Sequence, residues 1–215
     1  ITAHRANTRS AMRELARGYF DGYVPSPGIN TYSGVKLISH WPYNELDLVP
    51  EMLFEYAEPF SLHEIEAFVR EKFTFENKRE VIRTYVGERL NRRHRPGRAI
   101  EKAHFEWEVV GDYGTFRDLQ RHRIVDAWEW QMLSPIFGYE TPEIISEAGF
   151  EEQFRECFSI SEALYVLIAS EGDQVQAQYA TLFGHQMRYR FLMNLRQLFH
   201  FRELRTGPDG HPGYR

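Results

Sequence analysis

Apolar and polar positions alternate most cleanly over residues 104–111. Phe105, Trp107 and Val109 fall on one side, His104, Glu106 and Glu108 on the other. Strand side chains point alternately to two faces, so this segment predicts an antiparallel strand with one wet face. Val35 to His40 predicts a second strand by composition, and His185 to Phe191 a further short one with Met187, Tyr189 and Phe191 inward. Ile124 to Leu133 reads as an extended aromatic segment in which Trp128, Trp130 and Met132 alternate with Glu129, Gln131 and Leu133.

Elsewhere the apolar positions recur every three or four residues, the period of a helix. Asn44 opens a helix that runs through Pro50 to Tyr56. Ser61 with Glu64 makes a capping box for a helix to about Lys72. Thr74 caps a longer one, with Val81, Ile82, Tyr85, Val86 and Leu90 on its inner face. Gly111 and Gly114 end the 104–111 strand, and Thr115 to Arg123 returns as a short helix. Thr141-Pro142-Glu143 reads as N-cap, N1 proline and acidic first turn. The helix it opens breaks near Gly149 and continues from Phe150 to Ala169, with Phe154, Cys157, Ile160, Ala163, Leu164 and Leu167 buried. Gly172 stops it, Asp173 starts another to about Leu182, and Asn194 to Arg205 forms the last helix.

The first residues stand apart. Ala3 to Tyr19 predicts a basic amphipathic helix with Met12, Leu15 and Phe20 on one side, and Val24-Pro25-Ser26-Pro27-Gly28 breaks any regular element. Residues 1–33 therefore read as an arm or linker, and 34–215 as one α+β domain, an antiparallel sheet flanked by long helices. The chain begins without Met and stops just after a loop, which suggests a piece of a longer polypeptide.

Composition changes this picture in three places. Aromatics reach 15 % of 215 residues, enough for aromatic-lined pockets as well as a core. A net charge of −5 speaks against a nucleic-acid partner held by the global field. The single Cys157 excludes an internal disulfide and any multi-cysteine metal site, which suits a reducing, cytoplasmic setting. The first residues are polar and charged, without the pattern of a secretory signal, and the longest apolar run, near Ala163 to Ala169, is far too short for a bilayer.

Charge concentrates in three stretches. Asn91 to Arg98 packs four Arg and His94 into eight residues closed by Pro96-Gly97. That is either a solvated turn at a helix C-terminus or an anion-binding loop, and guanidinium forks match phosphate oxygens. In Arg121-His122-Arg123, Arg121 and His122 fall within about a turn and a half of Arg117. The last helix carries Asn194 near its start, where it can act as a cap. Arg196 and His200 share one of its faces, and Arg205 sits near its end.

In combination these residues resemble the flavin-dependent thymidylate synthases, the ThyX family. Arg121-His122-Arg123, Glu129 in the following extended segment, Asn194-Leu195-Arg196 and Leu204-Arg205 match its pattern, and the order of elements agrees from about Val35 onward. The resemblance implies an α+β fold and a homotetramer-like assembly with sites between subunits. It implies reductive methylation of dUMP to dTMP, with methylenetetrahydrofolate as carbon donor and FAD reduced by NADPH. By position, Arg121, His122, Arg123, Glu129, Asn194, Arg196 and His200 would hold FAD. Arg117, Glu129, Gln131 and Arg205 would meet the nucleotide, with Arg205 stabilising charge on the pyrimidine as the catalytic group.

Several positions depart from that pattern. Gln131 and Leu133 stand where the family has a Ser and an Arg that grip the nucleotide, Trp128 where it has an Asn, and Gln178 where it has a further phosphate-binding Arg. Lys102 replaces a His, although Glu101 fits, and Gly210-His211-Pro212-Gly213 replaces an Ala-Gln-x-Glu segment. The flavin half of the site is thus better kept than the nucleotide half. The chain resembles the divergent second domain of a tandem member, so a tandem partner or a homo-oligomer would complete the site. A non-catalytic structural or regulatory domain is the alternative.

Overall fold

The computed structural model describes residues 2–23, 34–208 and 210. The proposed break at Val24 to Gly28 and the segment 211–213 lie outside them. Contacts divide the chain into two units, Ile1–Tyr32 and Ser33–Arg215. The first contains helix α1, Thr2–Phe20, with no buried residue. No helix among the described residues is long and apolar enough to cross a membrane.

The second unit is built on a four-stranded antiparallel sheet ordered β1-β2-β4-β3. Its strands are β1 (Gly34–Trp41), β2 (His104–Asp112), β3 (Ala127–Trp130) and β4 (Gln186–Asn194). The alternation in sequence becomes two unlike faces. Phe191 of β4 lies opposite Trp107 of β2 and Trp128 of β3, with ring centroids 5.2 Å away on both sides. On the reverse face Arg190 lies between Glu108 and Glu129, and its guanidinium pairs with Glu129 and with Glu106 at 3.3 Å. Cross-strand pairing of this kind fixes register on both faces at once.

The helices are α2 (Val49–Phe54), α3 (Leu62–Lys72), α4 (Phe75–Val86), α5 (Tyr113–Leu119), α6 (Glu143–Glu147), α7 (Glu151–Ser170), α8 (Gln174–Ala177) and α9 (Leu195–Arg205). The aromatic face of the sheet packs against α5 and α9 around Phe116, Leu119, Met187, Tyr189 and Met193. A neighbouring cluster joins α2 and α4 to the start of α9 through Leu48, Met52, Ile100, Ala103 and Phe199. Leu195 N–H donates to Ala103 C=O at 2.8 Å and ties α9 to the segment entering β2. These two clusters aim both ends of α9 at the residues singled out above.

The caps at Ser61 and Thr74 form as expected, each with both reciprocal hydrogen bonds. Other expectations need correction. Helix α4 stops at Val86, where Gly87 takes φ +65°, so Leu90 lies beyond it and is exposed. Helix α5 starts at Tyr113, because Asp112 caps it through Thr115 N–H at 2.6 Å, and ends at Leu119. Arg121 to Arg123 therefore form a turn after the helix. The extended aromatic segment pairs only over Ala127–Trp130. Pro142, not Thr141, precedes α6. Helix α8 spans Gln174–Ala177 and passes into a 3-10 turn, Gln178–Ala180.

The largest correction is α7. Its buried positions are Phe158 and Ser161, while Cys157, Ile160, Ala163, Leu164 and Leu167 are exposed. Tyr139 stacks on Phe158 at 3.8 Å, and the Ser161 hydroxyl donates to Ala180 C=O, so the opposite side of α7 meets the domain.

Candidate functional site

The turn after α5 and the far half of α9 meet directly. Leu119 C=O accepts from His122 N–H at 3.0 Å, which turns the imidazole inward against the Phe201 ring, 4.7 Å between centroids. Arg205, at the end of α9, donates from Nε to His122 Nε2 at 2.7 Å, from Nη1 to Asp118 Oδ2 at 2.7 Å, and from Nη2 to Asp118 C=O at 3.0 Å. Burial, the Arg205 cation and His200 pull the His122 pKa down to about 4, against a smaller opposing pull from Asp118. A neutral ring with a free Nε2 lone pair is also what a guanidinium N–H requires. Arg121 and Arg123 point outward and are exposed, and Arg121 Nη1 reaches Asp118 Oδ1 at 3.3 Å.

The near half of α9 faces another group of residues. Asn194 Oδ1 accepts from Gln197 N–H at 2.9 Å, so this side chain caps the helix. Arg196 donates to Pro96 C=O at 3.1 Å and to Glu101 Oε1 at 2.9 Å. Glu101 also takes the Arg98 guanidinium, and the two cations hold its carboxyl below the usual range, Arg98 first. Arg89 pairs with Glu203 at 2.7 Å and lies over the Phe199 ring, fastening the 92–98 loop to α9. The result is a cleft of about 240 Å³ with Asn194, Arg196 and His200 on one side and Arg92, Arg95 and Arg98 on the other. Arg92 and Arg95 stand outside the ion pairs just described. A cleft with that surplus of guanidiniums suits a diphosphate or similar anion.

A second cavity, about 330 Å³, lies where α5, β3, α8 and the following turn converge. Phe116, Trp130, Leu133, Tyr179 and Met187 supply its apolar wall, and Arg117, Gln120 and Gln178 its polar groups. Arg117 Nη1 donates to Gln120 Oε1 at 3.0 Å. Gln178 Oε1 accepts from Leu133 N–H at 3.0 Å and its Nε2 donates to Val175 C=O at 3.2 Å. Two positions that depart from the family pattern, Leu133 and Gln178, therefore bond to each other on this wall.

Of the residues singled out in sequence, the structure brings His122 to Arg205, and Asn194, Arg196 and His200 to one cleft. His200 reaches toward both groups, its ring 6.4 Å from that of His122. Arg117 lies in the other cavity. Glu129 and Gln131 join neither: Glu129 pairs with Arg190 on the charged sheet face and Gln131 is exposed. Sequence reasoning missed Asp118, although its spacing of three and four from Arg121 and His122 on a helix end was a usable signal. It also missed Trp130 and Tyr179 as cavity walls, which no local pattern marks.

Comparison with known proteins gives a consistent result. A family model described as thymidylate synthase complementing protein matches residues 36–215. The chain is 31 % identical over 207 residues to a UPF0159 protein of Chlamydia muridarum, and 30 % identical over 207 residues to one of Chlamydia pneumoniae. Each match covers 96 % of this chain and 38 % of the relative. A UPF0159 protein of Thermoplasma acidophilum is 35 % identical over 124 residues, 57 % of this chain and 25 % of its own. The chain thus spans about two fifths of the length of the curated chlamydial relatives. Among solved structures, a UMP/dUMP methylase, PolB, from Streptomyces cacaoi bound with 5-Br dUMP superposes with a TM-score of 0.60 at 18 % identity, covering 83 % of this chain and 82 % of that one. At that identity the likeness establishes the fold.

Proposed function

The chain belongs to the thymidylate synthase complementing protein family, and from that premise we propose that it is a flavin-dependent thymidylate synthase-like protein. The reaction is reductive methylation of dUMP to dTMP with methylenetetrahydrofolate, FAD and NADPH, at a partly degenerate nucleotide site. The observation that carries this reading is the cationic cleft, where Asn194, Arg196 and His200 of the last helix face Arg92, Arg95 and Arg98. Its donors fit the diphosphate of an anionic dinucleotide. A cleft of about 240 Å³ takes only part of such a ligand, so the reading includes a second copy or a tandem partner that supplies the remaining surface. Bound FAD would supply the hydride. The chain's own residues would bind, orient and neutralise charge, with His122 holding Arg205 in place.

Titration of the purified protein with FAD tests this. The expected result is saturable quenching of flavin fluorescence that weakens with salt, together with tritium release from 5-labelled dUMP in the presence of the folate and NADPH. Protein that stays colourless and leaves flavin fluorescence unchanged would end the proposal.

A non-catalytic structural or regulatory domain is favoured by a different observation. All three guanidinium nitrogens of Arg205 are spent on Asp118 and His122, and Gln178 is spent on Leu133 and Val175. Flavin binding without tritium release would favour this second reading.

A further inference from the structure

The cavity between α5, β3 and α8 has the size of a small-ligand site, an apolar wall and few polar groups. We propose that it selects its ligand by the flat ring and not by a phosphate, so that an unphosphorylated pyrimidine nucleoside binds as tightly as the monophosphate. This rests on the reading of the protein as a pyrimidine-binding member of its family and narrows the substrate class of that site.

A bound phosphate dianion is normally met by two or more charge-assisted donors, because its desolvation is otherwise uncompensated. Arg117 is the single cation among the described residues lining this cavity. It is exposed, and one arm of its fork already lies on Gln120. The other polar wall is closed on itself: the Gln178 carbonyl is taken by Leu133 N–H and its amide by Val175 C=O. The guanidiniums of Arg92, Arg95, Arg98 and Arg196 line the other cleft, and none of them lines this cavity.

The aromatic wall, in contrast, is well held. Trp130, 51 % exposed, lines the cavity and is backed by the buried Phe116 at 5.6 Å between ring centroids. A ring held from behind in this way favours a flat heterocycle by stacking, with little ordering cost. Gln120 and Arg117 can offer an amide edge and N–H donors to the ring's carbonyls and imide.

Calorimetric titration of the whole protein with deoxyuridine and with dUMP separates the possibilities. The expected result is a ratio of dissociation constants below about tenfold. Two intact charge-assisted contacts would instead favour dUMP by roughly a hundredfold or more. A dUMP preference of about tenfold or more overturns the inference while leaving the pyrimidine reading intact. Failure of both ligands to bind overturns the inference together with that reading. Gln178→Arg adds a guanidinium to the polar wall and is expected to tighten dUMP by about tenfold with deoxyuridine unchanged. No gain for dUMP in a folded Gln178→Arg protein would place the phosphate elsewhere and overturn the proposal.

Discussion

Arg205 Nε donates to His122 Nε2 at 2.7 Å, joining the end of α9 to the turn that follows α5. The bond needs a neutral imidazole, and the depressed His122 pKa, about 4, keeps it neutral well below pH 6. An unfolded histidine titrates near 6.5. Between those values the unfolded chain therefore binds more protons than the folded one.

Stability should therefore fall as pH drops from about 6.5 toward about 4, and level off below the folded pKa. The loss assigned to His122 is on the order of 1–3 kcal/mol. His185, fully buried beside Phe158 and also depressed by burial, adds in the same direction. Urea denaturation at pH 7 and pH 5 checks this. His122→Asn should lose stability at pH 7 yet show a shallower pH dependence than the parent protein.

Arg205 is expected to be as much a structural element as a catalytic one. Arg205→Met removes the guanidinium that His122 and Asp118 share and leaves the Asp118 carboxylate without its main cation, at about 1–3 kcal/mol. Asp118→Asn combined with Arg205→Met should recover part of that loss, since neither charge then lacks a partner. A double-mutant cycle in urea measures the coupling. Additive losses would show that the pair does not stabilise the fold.

How much of this was legible beforehand differs by element. The alternation at 104–111 and 185–191 gave strands whose inward residues are the observed ones, because a two-sided sheet records its faces in sequence. The caps at Ser61 and Thr74 were legible because they are local. The resemblance implies that His122 meets α9 but leaves out Asp118, whose spacing of three and four from Arg121 and His122 is a local signal shared by many surface pairs. The resemblance puts Glu129 at the site, whereas in the structure it balances Arg190, because the register that pairs them across β3 and β4 is a tertiary fact. Periodicity turns the wrong face of α7 inward, since it reports an apolar stripe but not what covers it.

Arg196→Ala should weaken FAD by about tenfold or more, since it removes a cleft guanidinium and leaves Glu101 balanced by Arg98 alone. Glu101→Gln acts oppositely. It lifts the negative charge that Arg98 and Arg196 now share and should tighten pyrophosphate binding. Fluorescence titrations at two salt concentrations test both, and a reversed order would show that the cleft is not the anion site.

Gly97 lets the basic loop pack closely against Tyr85. A Cβ there would lie 2.4 Å from the Tyr85 ring, whose hydroxyl accepts from Ala99 N–H at 2.8 Å. Gly97→Ala must displace Tyr85 or the loop, at about 1–3 kcal/mol. Anion affinity should fall with it, because Arg98 and Pro96 move together with that turn. Tyr85→Phe in the Gly97→Ala background should add little further loss if the bond is already broken.

The exposed stripe of α7 is the strongest sign of an assembly. Cys157, Ile160, Leu164 and Leu167 repeat at intervals of three and four, with Ile160 62 % and Leu167 61 % exposed. That spacing is the seam along which two helices pack. Sedimentation should find a species larger than one chain. Leu164→Glu, at the centre of the stripe, should reduce it to the monomer, because an unpaired carboxylate in a desolvated seam is costly. The circular dichroism of the variant should be unchanged, since Leu164 is outside the clusters that hold the domain. If the assembly held by this seam supplies the second-copy surface for the flavin site, the monomeric variant will bind FAD more weakly than the parent. Equal flavin affinity in monomer and assembly would mean that one chain suffices.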